Sequence, residues 1–334
     1  MTGTAPSVLA ADVGATTSRL GLYSPQRGAR DPVVWRAFST PQQDSLDALI
    51  REFVGDGAGS IRAAVIAVAG PVRDGRVETD SLPWSIEADD LRARLGLTFL
   101  RVMNDAEALA AAVPVLRPSD VVALRGGNAH ANGPIAVIAW GTGLGEGFLI
   151  PTGAGYIACA SEGGHASYAP TTAEELALLR ALLQRFPHVS TEMVCSGSAV
   201  PDVYAHVRDT RDGLEPDWLA AALAAADDPT RVIVEAGLDN RDGAEACNAV
   251  LALLISILGA EAGNLVLRVN ATGGLYLGGG MTSRLLPLLR AGPFLERLAA
   301  KGRDTEFLRE LPVHVITNTE VGLIGAALTG LQSL

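Results

Sequence analysis

The stretch VLAADVGATTSRLGLY, Val8 to Tyr23, sets the frame for the whole chain. Val8 to Val13 is an apolar run ending in Asp12-Val13-Gly14; it has the character of a buried strand, and Gly14 supplies a turn. Arg19 to Tyr23 reads as a second strand, so the segment is a hairpin. Small residues at such a turn expose backbone N–H groups. The hydroxyls of Thr16 and Thr17 add donors, so the turn Asp12-Val13-Gly14-Ala15-Thr16-Thr17 could cradle phosphate oxygens. Asp12 beside a phosphate would be repulsive by itself. A Mg²⁺ ion between the two, held by Asp12 through water, makes the pair compatible. Taken alone, the turn reads equally well as an ordinary hairpin turn.

The same pattern returns downstream. Pro134 to Trp140 reads as a strand leading into Gly141-Thr142-Gly143-Leu144-Gly145, and Gly147 to Pro151 begins the next strand. Further strands are expected at Ala63 to Ala69, Leu100 to Met103, Leu275 to Leu277 and Val313 to Thr317. Helices are expected at Ser45 to Val54, Ile86 to Leu95 with Ser85 as cap, Asp105 to Ala112, and Thr172 to Gln184 with a threonine cap and acidic first turn. Three more are expected at Ala244 to Leu258, Arg284 to Arg290 and Val321 to Leu331. Pro114 and Pro118 mark a hinge. A glycine turn after a strand in each half implies two related α/β domains facing a cleft.

Composition narrows the function. The 334 residues suffice for two domains and a large core, and 48% are apolar. The formal net charge of −11 argues against nucleic-acid binding. The N-terminus has no basic stretch followed by a long apolar one, so no secretory signal is expected. The longest apolar stretch, Ala249 to Ala260, is too short to span a bilayer, which takes about 20 residues. Three scattered cysteines, Cys159, Cys195 and Cys247, indicate a reducing cytoplasm and no structural zinc.

No Gly-x-x-x-x-Gly-Lys-Ser/Thr motif is present, and the single lysine, Lys301, follows no glycine turn; a P-loop is excluded. The glycine spacing from Gly141 to Gly147 does not fit a dinucleotide-binding fingerprint. Glu162-Gly163-Gly164-His165 offers a carboxylate and an imidazole around two glycines. There the backbone can turn sharply and admit a polyhydroxylated ligand. Asn104-Asp105 falls where a strand gives way to a helix. Asp105 there is either a cap or a base that takes the proton of a hydroxyl nucleophile. Glu192 reads as a helix N-terminal charge or a further site carboxylate, and Trp84 as a packing residue.

In order along the chain, these segments resemble the bacterial ATP-dependent glucokinase family. The matching pieces are Asp12 to Thr16, Ala69-Gly70-Pro71-Val72, Asn104 to Ala108, Gly141 to Gly145, Glu162 to His165, Val189 to Gly197, Gly273 to Gly280 and Gly322 to Ala327. The resemblance implies an α/β, two-domain actin-like ATPase (ribonuclease H-like) fold. Its cleft would lie between a smaller N-terminal domain, residues 1–116 plus 316–334, and a larger C-terminal one, residues 117–315. It implies Asp105 as catalytic base on the sugar 6-hydroxyl, and Asn104, Glu162, His165, Glu192 and Gly70 as the sugar-binding set. Asp12, Gly14, Ala15, Thr16 and Thr17 would form one phosphate loop, and Gly141, Thr142 and Gly143 the other. Gly279 and Gly280 would pack against the adenosine. ATP, Mg²⁺ and glucose are the implied partners of a cytoplasmic homodimer that binds neither nucleic acid nor membrane.

The related repressor/kinase group carries a cysteine-rich zinc motif after its Gly-His segment. That motif is missing from this sequence, and so is an N-terminal helix-turn-helix. Several positions depart from the family pattern. Ala15 and Thr17 replace a glycine and an asparagine, and Asp80-Ser81-Leu82-Pro83-Trp84 replaces Thr-Asn-x-x-Trp. Trp140 is unusually bulky. Glu146 stands where an apolar residue is usual and is expected to point away from the nucleotide. These changes keep two other readings open: a kinase for a different hexose or sugar derivative, and a non-catalytic sugar-binding regulatory protein.

Overall fold

The computed structural model describes residues 7–55, 61–77, 82, 84–210 and 215–334. Two compact units emerge: Met1–Asp120 with Gly147–Ala160 and Asn318–Leu334, and Val121–Glu146 with Ser161–Thr317. The altered positions Asp80 and Ser81, and Pro83 near them, lie outside the described residues.

The first unit is built on β1 (Val8–Val13), β2 (Thr17–Tyr23), β3 (Val34–Ser39) and β4 (Ala63–Val68), with the short pair β5 (Val72–Arg73) and β6 (Arg76–Val77), and β7 (Phe99–Asn104). The main sheet is ordered β3-β2-β1-β4-β7. Strands β1, β4 and β7 run parallel, aligning Val13 with Val68 and Val68 with Asn104. Every residue of β4 is buried, as a central strand covered on both faces demands. Alternation divides the faces. Leu9, Ala11 and Val13 join a core with Leu49, Phe53 and Leu91 from the helices Leu46–Val54 and Ala88–Leu95. On the opposite face Val8 and Val65 lie under Gly330 of the helix Val321–Gln332.

That last helix packs on the helix Asp105–Ala112 through a glycine. A Cβ at Gly325 would lie 1.8 Å from the Ala108 carbonyl oxygen. Gly325→Ala is therefore expected to force the two helices apart and to destabilise the protein by about 1–3 kcal/mol. A thermal melt checks this, and an unchanged Tm refutes the close approach. Around Pro114 and Pro118, read above as a hinge, the chain makes two short 3-10 turns. Asp120 closes them: it is buried, pairs with Arg30 at 2.7 Å and accepts from the Asn318 amide at 2.9 Å.

The second unit contains β8 (Val121–Arg125), β9 (Ile135–Trp140) and the start of β10 (Leu144–Thr152). It also holds β12 (Gly274–Gly278) and β13 (Val313–Ile316), while β11 (Gly155–Ser161) follows β10 as a hairpin. Strand β12 runs parallel to both β9 and β13, and β8 is antiparallel to β13. The core centres on the helix Glu245–Val269, which extends well past the expected end at Leu258. Its glycines do not break it; they admit the helix Phe294–Ala299. A Cβ at Gly259 would lie 2.4 Å from the Phe294 carbonyl oxygen. By length and composition this helix could cross a membrane, yet most of it is buried inside the protein.

Local signals mostly hold. Ser45 caps its helix, and Thr172 caps Ala173–Leu182 in a reciprocal box with Glu175. Ser85 caps nothing: the helix begins at Ala88, with Glu87 before it. The helix expected at Arg284 to Arg290 is instead two short ones, Gly280–Arg284 and Leu286–Ala291.

Candidate functional site

Parallel strands deliver their successors to one edge, where open α/β sheets bind ligands. In the first unit the carboxyl ends of β1, β4 and β7 present the Asp12–Thr17 turn, Gly70, and Asn104-Asp105 along that edge. Asn104 joins two of these features. Its amide nitrogen donates to the Gly70 carbonyl at 2.9 Å, and its Oδ1 accepts from the Ala106 N–H at 2.8 Å, capping the helix Asp105–Ala112. Gly70 has φ of 120°, a backbone state that L side chains rarely adopt. Asp105 is half-buried in the first turn of that helix, where the helix field favours negative charge. One of its oxygens also accepts from the Ala106 N–H, at 2.8 Å.

The Asp12–Thr17 turn closes with a 3.1 Å bond from the Gly14 N–H to the Thr17 carbonyl. Ala15 and Thr16 are exposed at its tip. Its underside rests on Thr40, which the sequence reading passed over. Buried Thr40 donates its hydroxyl to the Gly14 carbonyl at 2.7 Å and its N–H to the Thr16 carbonyl at 3.0 Å. A threonine after a strand carries no marking that such a contact exists.

Asp12 lies 3.1 Å from the Cβ position of Gly322, in the first turn of the helix Val321–Gln332. Its cationic neighbour is Arg19, 3.8 Å away. Burial pushes its carboxyl above the usual range, and the guanidinium offsets this only in part. A largely buried carboxylate whose ion pair among the described residues is with Arg19 at 3.8 Å fits a Mg²⁺ bound through water. Among the described residues no group of three or more His, Cys, Asp or Glu side chains could hold a metal. Any Mg²⁺ at Asp12 would therefore take most of its ligands from water and phosphate.

The second unit gathers the remaining residues. Glu162 and Glu192 flank His165: His165 Nε2 is 3.8 Å from Glu162 and Nδ1 is 3.7 Å from Glu192. These separations exceed hydrogen-bond length, and about half of the Glu162 and His165 side chains is exposed. Glu162 and His165 thus face outward with capacity left for a ligand's hydroxyls, while Glu192 is more covered. Glu192 is not a helix N-terminal charge; the next helix, Val200–Thr210, begins eight residues later. It is a bracket instead. Its Oε2 accepts from the Leu144 N–H at 2.8 Å, and its N–H donates to the Gly164 carbonyl at 2.9 Å. One residue therefore ties the Gly141–Gly145 turn to the Glu162–His165 loop.

The Gly141 turn is held further by N–H donations from Gly197 to the Gly141 carbonyl, 2.9 Å, and from Ser198 to the Thr142 carbonyl, 3.0 Å. Thr142 is exposed at the turn. Gly279, with φ of 97°, packs against this region; a Cβ there would lie 2.3 Å from the Trp140 carbonyl oxygen. Since β9 and β12 are parallel neighbours, Gly141-Thr142-Gly143 and Gly279-Gly280 leave the sheet at the same end. The bulky Trp140 is fully buried. Glu146 turns into the interior, 1% exposed.

The chain as a whole is similar to known proteins. A family model described as Glucokinase matches residues 9–333. The glucokinase of Tolumonas auensis is 32% identical over 322 residues, covering 96% of each chain. Among solved structures, a glucokinase from an Antarctic psychrotroph superposes with a TM-score of 0.80 at 29% identity, covering 97% of this chain and 98% of its own. The glucokinase of Balamuthia mandrillaris in complex with glucose gives a TM-score of 0.76 at 18% identity, covering 99% and 95%.

Proposed function

The chain belongs to the glucokinase family, and we infer that it transfers the ATP γ-phosphoryl group to the 6-hydroxyl of glucose with Asp105 as general base. It is an ATP-dependent hexose kinase with the two-domain actin-like ATPase fold. The observation that carries the residue assignment is the pair of polar sets: Asn104-Asp105 beside Gly70 at one sheet edge, and Glu162, His165 and Glu192 around one loop.

Each group has a distinct task. Glu162, His165 and Glu192 take sugar hydroxyls, and Asn104 and Gly70 complete the sugar contacts. A site built from several positioned polar groups rejects a sugar lacking a hydroxyl, because its own partners are then left unpaired. Asp105 accepts the proton of the 6-hydroxyl and orients its oxygen toward phosphorus. The N–H groups and hydroxyls of Ala15, Thr16, Thr17, Thr142 and Gly143 receive phosphate oxygens, with Gly14 and Gly141 shaping the turns, and Gly279-Gly280 lies against adenosine. Asp12 would hold Mg²⁺ through water; the ion's role is to neutralise phosphate charge. Ala15 adds a methyl to the first phosphate loop but sits exposed at the turn tip, away from its Thr40 support. We place the enzyme in the cytoplasm as a homodimer, supplying glucose 6-phosphate to glycolysis.

Incubation of the protein with Mg-ATP and a panel of hexoses, read as ADP release, tests this. Glucose is expected to give the highest kcat/KM. A higher value for another hexose reassigns the substrate. No turnover with any hexose, alongside calorimetric sugar binding, would establish the regulatory alternative.

A further inference from the structure

One buried acid lies directly beneath the sugar-binding loop and has no place in the chemistry above. Glu146, on β10, is 1% exposed. A Cβ added to Gly163 would lie 1.9 Å from its Oε2 and 2.7 Å from its Cδ. The carboxyl group is therefore the floor on which the Gly163 backbone rests, and a glycine at 163 leaves room for it. No donor among the described residues reaches either carboxyl oxygen, and the side chain it does meet is another acid, Glu261, to which it can bond only by keeping its own proton.

Among the described residues, the groups around Glu146 give it no cation of its own. The helix Glu245–Val269 brings Glu261, itself 4% exposed, and Arg268. Arg268 is engaged by Glu261 at 2.7 Å, and Asn264 donates to the other Glu261 oxygen at 3.0 Å. Lys301 donates to Asn264 at 2.7 Å. The buried thiol of Cys195 is held protonated by burial and by the Glu261 charge. The loop itself carries Glu162 and His165, which face outward. Glu261 thus keeps the donors, and Glu146 is left as the partner that must be neutral. Unpaired, a buried carboxylate gives up its charge rather than its burial. Burial first, then the Glu261 charge, push the Glu146 carboxyl up to about 8.

We propose that Glu146 is a positioning residue for the sugar site: as a neutral acid it supports Gly163 and so sets the placement of Glu162 and His165, and its ionisation weakens sugar binding. This rests on the reading of Glu162 and His165 as sugar ligands. The sign follows from linkage. The folded protein holds this proton where the unfolded chain has lost it. Its stabilising effect is complete below the ordinary glutamate range and is lost as pH rises through about 8. Above that pH a charge appears under Gly163, facing the charge of Glu261. The loop then moves, or water enters beneath it. If only the neutral form holds the loop, the glucose KM rises about tenfold between pH 7 and pH 9.

The test is the glucose KM and kcat of the intact enzyme from pH 6.5 to 9, at saturating Mg-ATP. Wild type, Glu146→Gln and Glu146→Val are compared. The wild-type KM is expected to climb across that range with a smaller change in kcat, and Glu146→Gln, which stays neutral, is expected to flatten the climb. Glu146→Val removes the charge in a shorter side chain and should flatten it as well. A wild-type KM that stays level, or a Gln variant that retains the wild-type climb, overturns the proposal. The level wild-type result decides even if neither variant folds. Glu162→Gln at pH 7 separates the underlying reading: a KM unchanged by that substitution removes Glu162 as a sugar ligand, irrespective of what Glu146 does.

Discussion

Asp105→Asn is expected to lower kcat by a factor of roughly 10² to 10⁴, the range general-base catalysis contributes, while glucose still binds. Asparagine matches aspartate in size and keeps an oxygen that can accept from the Ala106 N–H, the 2.8 Å bond made by the native side chain. The helix Asp105–Ala112 stays capped by Asn104 and packed on Gly325, so the fold has no reason to change. What disappears is the ability to take a proton. Steady-state kinetics with Mg-ATP and glucose, beside calorimetric glucose binding, measure the two effects separately. Turnover within a few-fold of wild type would remove Asp105 as the base. Loss of binding together with turnover would make it a sugar ligand instead.

Gly164→Ala is the second large effect, and it acts through backbone placement. A Cβ at Gly164 would lie 2.0 Å from the Leu144 carbonyl oxygen, a backbone atom that cannot swing aside. Ordinary contact needs over an ångström more. The Gly164 carbonyl also receives the Glu192 N–H at 2.9 Å, so moving Gly164 displaces Glu192 along with Glu162 and His165. Misplacing a binding constellation by about 1 Å can cost on the order of 10²-fold. The glucose KM is expected to rise by about that factor, with a thermal melt confirming that the variant is folded. A KM within twofold of wild type would show that the loop does not position the sugar.

Much of the fold is legible in the sequence because its signals are local. The apolar run ending at Val13 and Gly14 announces a buried strand and its turn, and β1 ends at Val13. Thr172, followed three residues later by Glu175, announces a capped helix, and both halves of the capping box form. Failures occur where a residue's meaning depends on a distant partner. Gly259 directly follows Leu258, the expected end of its helix. In three dimensions it admits the Phe294 carbonyl, and the helix continues to Val269. Strand β3 has a nearly fully exposed pattern, so no hydrophobic alternation marks it; backbone pairing to β2 holds it.

The candidate site divides in the same way. Asp105, His165 and the glycine turns stand out because each combines a rare residue pattern with a chain reversal. Thr40 under the first turn is unremarkable in sequence, and its role exists only because β2 and the residues after β3 bring it beneath Gly14. Glu192 reads as a helix charge until the fold shows it accepting from Leu144, 48 positions away.

By itself the sequence determined most of the buried strands and the glycine turns after them, which residues can accept a proton or bind hydroxyls, and the family to which their order belongs. Those properties reside in side-chain chemistry and short-range backbone preference. Only the tertiary structure decided that Glu192 braces two loops, that Gly325 joins two helices, and that Glu146 lies buried beneath Gly163 beside a second acid. A charge's cost and a glycine's necessity are set by which atoms come within a few ångströms, and residues far apart in the chain supply those atoms.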